Sequence, residues 1–169
     1  MNMSSKAGSS EADVLRCGYS VGYFSKSDIA RWADRQIAAI DTPCKELLDV
    51  SMIRNTHPRD VMGLLRSLGS AEHVEESQNQ IGFIGLLYEK QEITTPLAIR
   101  ALFALVHEPG TTEDEKSIIY HLDAGIDLAI AGTFGTVSEI ERELMDFLSP
   151  YAKRLADQYP NLMPPTTLT

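Results

Sequence analysis

Three times this chain writes the same helix-opening phrase: a polar residue, a proline, then apolar residues at helical spacing. The copies run Asp41-Thr42-Pro43 into Leu47 and Leu48, Thr56-His57-Pro58 into Val61, Leu64 and Leu65, and Thr94-Thr95-Pro96 into Ile99, Leu102 and Phe103. Proline suits the first helical position, where its missing N–H would have had no partner. The residue before it can offer an oxygen to the free amides of the first turn. Other starts use capping boxes instead, Ser25 with Asp28, Thr112 with Glu115 and Thr136 with Glu139. A chain punctuated this way is constrained to short, sharply started helices.

Helical periodicity places these elements along the chain. Phe24 can staple onto Ile29 at the first start, and Ile29, Trp32, Ala33, Ile37 and Ile40 follow on one face. A second helix is expected over 43–53 with Cys44, Leu47, Leu48 and Met52 inward, and a third over 58–68, stopped by Gly69. Residues 71–90 are polar first and apolar later, with Gly82 and Gly85 inside the apolar half. Glycine costs a helix about 1 kcal/mol against alanine, but with no second strand to pair, helix is preferred. On a helix the two glycines share a face that lets another helix approach closely. The segment 96–107 is apolar nearly all round and is expected to be the central helix. Two capping-box helices follow, carrying Ile118, Ile119, Leu122, Ile126 and Ile130, then Ile140, Leu144, Phe147 and Leu148, with Pro150 placed to kink the last.

The expected fold is all-α: a compact or solenoid-like bundle of about seven short helices without a substantial sheet. Residues 1–18, rich in Ser, Gly and Ala, read as a mobile leader, 19–159 as a single helical domain, and 160–169 as a proline-rich tail.

The 169 residues include 24 acidic and 15 basic side chains, a formal charge of −9. Phosphate neutralisation needs clustered Lys and Arg, so nucleic acid is not an expected partner. No apolar run approaches the roughly 20 residues that cross a bilayer, no secretory leader is recognisable, and a cytoplasmic location is expected without a membrane partner. Cys17 and Cys44 match no metal spacing and read as buried hydrophobes.

Candidate chemistry is sparse. His73 and Glu76 stand one turn apart beside Glu72 and Glu75, a spacing that allows a metal, but the second Glu-x-x-His of a di-metal bundle is missing. Asp123 and Asp127 are a turn apart near His121, as an acid–base pair would be, or as an exposed acidic stripe. Gly132-Thr-Phe-Gly135 could hold an anion at the following helix start or simply connect two helices. No nucleophile elbow, zinc-protease or phosphate-loop motif occurs. No catalytic, cofactor or metal residue is assigned.

The stretches Ser27-Asp-Ile-Ala-Arg-Trp-Ala-Asp34 and Ile40-Asp-Thr-Pro-Cys-Lys-Glu-Leu-Leu-Asp-Val-Ser51 resemble a segment of small all-helical bacterial proteins, some of which are similar to immunity proteins of toxin systems. The resemblance implies a bacterial, non-catalytic protein. The leading expectation is an acidic protein-binding module, in its sharpest form an immunity-type inhibitor of a basic toxin, touching it through Glu72, Glu75, Glu76, Asp123 and Asp127. The alternatives are a small enzyme or ligand- or metal-binding protein with a pocket near His121 and Asp123, and a homo-oligomeric bundle joined through Gly82 and Gly85.

Overall fold

The computed structural model describes residues 3–69 and 73–159, with side chains over 11–69 and 74–159. Among the described residues every regular element is helical: α1 (Met3–Ser20), α2 (Lys26–Ala38), α3 (Lys45–Ser51), a 3-10 turn (Ile53–Asn55), α4 (Pro58–Leu68), α5 (His73–Glu89), α6 (Thr95–Leu105), α7 (Glu113–Ile130) and α8 (Val137–Gln158). None is long and apolar enough to cross a membrane. The all-α expectation therefore holds. Contacts fall into two units, divided between residues 72 and 73.

In the first unit α2 packs on α3, α1 on α4, and α3 on α4. The leader expected over 1–18 is instead helical from Met3, and Ala12, Val14, Leu15 and Cys17 are buried. Its Ser- and Gly-rich start hides this short apolar stretch, which has no cap phrase to announce it. Glu11 binds it to α2: Trp32 Nε1 and Gln36 Nε2 both donate to Glu11 Oε2, at 2.7 and 2.9 Å. Trp32, 7% exposed, is thus buried on the face that helical spacing assigns it.

The cap phrases differ in outcome. At α4 His57 is the N-cap, its Nδ1 accepting from the Arg59 N–H at 3.3 Å, and Pro58 takes the first position. At α3 the helix opens later than expected, with Cys44 as N-cap and Pro43 outside. The buried face there is Leu47, Val50 and Ile53; Cys44 and Met52 are exposed and Leu48 partly so. Gly69 does end α4, but with φ −65° and ψ 179° rather than left-handed geometry. A Cβ there would meet Asp13 Oδ1 of α1, so the Asp13 carboxylate would have to shift to admit one.

In the second unit α5 lies chiefly against α8 and also on α6, and α7 packs on α6 and α8. Segment 81–88 is helical, and its Phe83, Ile84 and Leu87 are fully buried along with Ile81. The most enveloped helix is α5, not α6 as its composition suggested, since Arg100 and Ala104 of α6 face solvent. A Cβ on Gly82 would lie 2.7 Å from the Tyr151 carbonyl oxygen, and one on Gly85 2.9 Å from Ala152 Cβ. The glycine face is thus filled by α8 of the same chain. Helix α8 runs on through Pro150, which is exposed, so water can take the carbonyl bond its missing N–H gives up.

Candidate functional site

The acidic residues singled out from the sequence do not form one surface. Glu72 and the side chain of His73 lie outside the described residues. Glu75 is half-buried and Glu76 is 6% exposed, so Glu76 is not a surface contact. Asp123 is half-buried and Asp127 exposed, far along α7. Ser77 and Thr111 hydroxyls, 2.9 Å apart, fix the start of α5 beside the start of α7. At 1.5 Å per residue, Asp123 and Asp127 stand on the order of 15–20 Å further along that helix axis. The two acidic pairs are separate features.

His121 Nε2 pairs with Glu143 Oε2 at 3.0 Å on an exposed face of α7 and α8. Among the described residues no three His, Cys, Asp or Glu side chains converge as a metal site requires. The start of α8 is already taken by the protein's own carboxylate: Glu139 Oε2 accepts from the Thr136 N–H at 2.9 Å and hydroxyl at 3.0 Å. Gly132-Thr-Phe-Gly135 is accordingly a connection. Thr133 N–H bonds to the Leu128 carbonyl and Gly132 N–H to that of Ala129, a Schellman ending with Gly132 at φ 65°.

A buried polar group joins α5, α7 and α8. Glu115, 5% exposed, accepts from the Thr112 N–H at 2.7 Å through one oxygen and from Tyr151 Oη at 2.7 Å through the other. Burial and then the bond to Glu115 push the Tyr151 phenol well above its usual range. Arg154 donates to Gln78 and to Asn79 Oδ1. Both carboxylate oxygens of Glu115 are engaged in holding helices, so this group serves the fold.

The concavity lies at the other end of the second unit. A cavity of about 560 Å³ opens between the end of α5, the start of α6, the end of α7 and the start of α8. Its apolar wall is Ile93, Ile126, Ile130, Val137 and Met145, and its polar side holds Tyr88, Glu89, Thr95 and Glu141. A hydrogen-bonded chain crosses the polar side: Tyr88 Oη lies 3.0 Å from Thr95 Oγ1, which donates to Glu141 Oε1 at 3.1 Å. This is where the third cap phrase leads. Thr95 stands inside α6, 8% exposed, bonded to these side chains, while Thr94 is an N-cap without a side-chain bond.

Two carboxylates and no Lys, Arg or His line the cavity. Lys90 and Arg142, next in sequence to Glu89 and Glu141, are exposed and outside the lining. Gln91, on the rim, holds φ 59° at the end of α5, a position that favours glycine. Ile130 of the lining is 63% exposed, and Phe134, in the connection from α7 to α8, is 77% exposed.

Periodicity places Ile130 on a helix without marking it as a cavity wall, and the residues it meets come from elements far apart in the chain. The available signal was the apolar crowding of Leu128, Ile130, Phe134 and Val137 around a glycine-bearing connection. On α7 this cavity is lined by Ile126 and Ile130, and neither His121 nor Asp123, near which the sequence suggests a pocket, is part of its lining. Comparison with protein families, curated proteins and solved structures finds no match to this chain.

Proposed function

We propose that this chain is a non-catalytic, acidic protein-binding module that engages a basic partner. The observation that carries the reading is an open apolar cavity lined by Glu89 and Glu141 and by no basic side chain, on a chain of formal charge −9. Such a surface attracts positively charged segments over a distance and then buries their apolar side chains. The narrower form is an immunity-type inhibitor that holds a basic toxin, acting in the cytoplasm of a bacterium. Its contacts are then the cavity residues rather than Glu72, Glu75, Glu76, Asp123 and Asp127 as a set.

Panning a random peptide library on the immobilised protein tests the proposal. The expected result is enrichment of sequences carrying Lys or Arg beside Leu, Ile, Phe or Trp, displaced by free protein. Recovery of sequences with no bias toward basic residues rules it out.

A further inference from the structure

The cavity in the second unit has a size within the roughly 300–1,000 Å³ of ligand sites. Such sites usually enclose most of a small ligand, whereas here the wall itself stands open. Ile130 is 63% exposed although it lines the cavity, and Phe134, in the connection between the lining residues Ile130 and Val137, is 77% exposed. Two left-handed glycines, Gly132 at φ 65° and Gly135 at φ 70°, hold the connection that presents Phe134. An exposed aromatic beside an open apolar trough is the anatomy of a contact between proteins.

The charge of the lining specifies the partner further. Glu141 already accepts one hydrogen bond from Thr95, and its side chain is half-buried. Glu89 is exposed at the rim, with Ser149 Oγ 3.5 Å away. A carboxylate beside an apolar wall gains most from a cation that brings its own apolar stem. An acidic or polar segment would leave Ile126, Ile130 and Met145 facing polar groups and would meet two like charges.

We infer that the groove bounded by Ile126, Ile130, Val137 and Met145 docks an amphipathic segment of a partner protein, its apolar side chains against that wall and a Lys or Arg on Glu141. This rests on the binding-module reading and adds where and how the partner sits.

The test uses three short fluorescein-labelled peptides, one of alternating Leu and Lys clusters, one with Glu for Lys and one with Gly for Leu, titrated by anisotropy onto the full chain. The Leu/Lys peptide is expected to saturate and to weaken as salt is raised, and the other two to bind at least tenfold less tightly. Glu141→Gln, which keeps the acceptor for Thr95, is expected to weaken the Leu/Lys peptide about fivefold. Ile130→Ser, at an exposed position that folding does not need, is expected to weaken it similarly. Asp127→Asn removes the same charge from α7 outside the lining and is expected to change affinity less than twofold; circular dichroism checks that each variant is folded.

Equal loss in Asp127→Asn and Glu141→Gln overturns the groove while leaving the binding-module reading standing, since net charge alone would then attract the peptide. Equal binding of the Glu peptide overturns the cationic partner. Absence of any saturable binding overturns the groove, and the panning experiment decides the broader reading on its own.

Discussion

Three glycine-to-alanine substitutions inside helices are expected to divide in sign. Each gains about 1 kcal/mol of helix propensity. Gly63, exposed in α4, has nothing within 4 Å of an added Cβ, so Gly63→Ala keeps the whole gain and stabilises by about 1 kcal/mol. Gly85→Ala places a methyl 2.9 Å from Ala152 Cβ and 3.2 Å from the Leu148 carbonyl oxygen. Carbon atoms prefer about 3.5–4.0 Å, so α8 must withdraw by roughly 0.6–1 Å. That withdrawal loosens Leu148, Ala152 and Leu155, all fully buried. Overpacking costs about 1–3 kcal/mol, which leaves Gly85→Ala destabilised by about 1 kcal/mol. Gly82→Ala meets the Tyr151 carbonyl oxygen at 2.7 Å, backbone that cannot rotate aside, and its net loss is about 2 kcal/mol.

Guanidinium denaturation measures all three. Trp32, the single tryptophan, reports the first unit and therefore Gly63→Ala, while far-UV circular dichroism follows α5 and α8. Midpoints should rise for Gly63→Ala and fall for the other two at unchanged slope. A Gly82→Ala protein as stable as Gly63→Ala would refute the close packing of α5 on α8.

Further outcomes follow from single residues. Exposed Cys44 should react at once with iodoacetamide and buried Cys17 only on unfolding, as peptide mass spectrometry can follow. Burial pushes the Cys17 thiol up to about 12 from 9.0, so its contribution to stability is intact below pH 9 and lost as pH rises toward 12. Ser25 donates to Asp28 Oδ2 through its hydroxyl at 2.6 Å and its N–H at 2.8 Å, and this, with Arg31, holds the Asp28 carboxyl below its ordinary 3.8. The folded form then prefers the ionised carboxylate; its contribution is present above pH 3.8 and lost as pH falls below it, and Asp28→Asn should flatten that part of the acid stability curve. Gln91→Gly relieves a left-handed backbone position and should stabilise by about 1 kcal/mol in thermal melts.

Local chemistry made the helices legible. Ser25, Thr112 and Thr136 form capping boxes where the spacing placed them, and Gly82 and Gly85 mark a close helix approach. What fails is whatever depends on the partner of a residue. Composition hid α1, because the burial of Ala12 to Cys17 is decided by other helices. The α3 face differs because the helix is only Lys45–Ser51: Cys44 and Met52 become its caps, and Val50 and Ile53 join Leu47 in the core. The cavity was invisible because Tyr88, Thr95, Ile126 and Glu141 meet only through packing, and an isoleucine on a helix reads as core whether or not a neighbour covers it.

An amphipathic basic segment docked between α7 and α8, on the wall formed by Ile126, Ile130 and Met145, must perturb the methyl groups of that wall. Methyl-labelled NMR spectra of the full chain titrated with the Leu/Lys peptide are expected to show saturable shifts at Ile93, Ile126, Ile130 and Met145, with Ile29 and Ile53 of the first unit unmoved. Saturable binding that leaves the methyl groups of those four residues unshifted would overturn the groove.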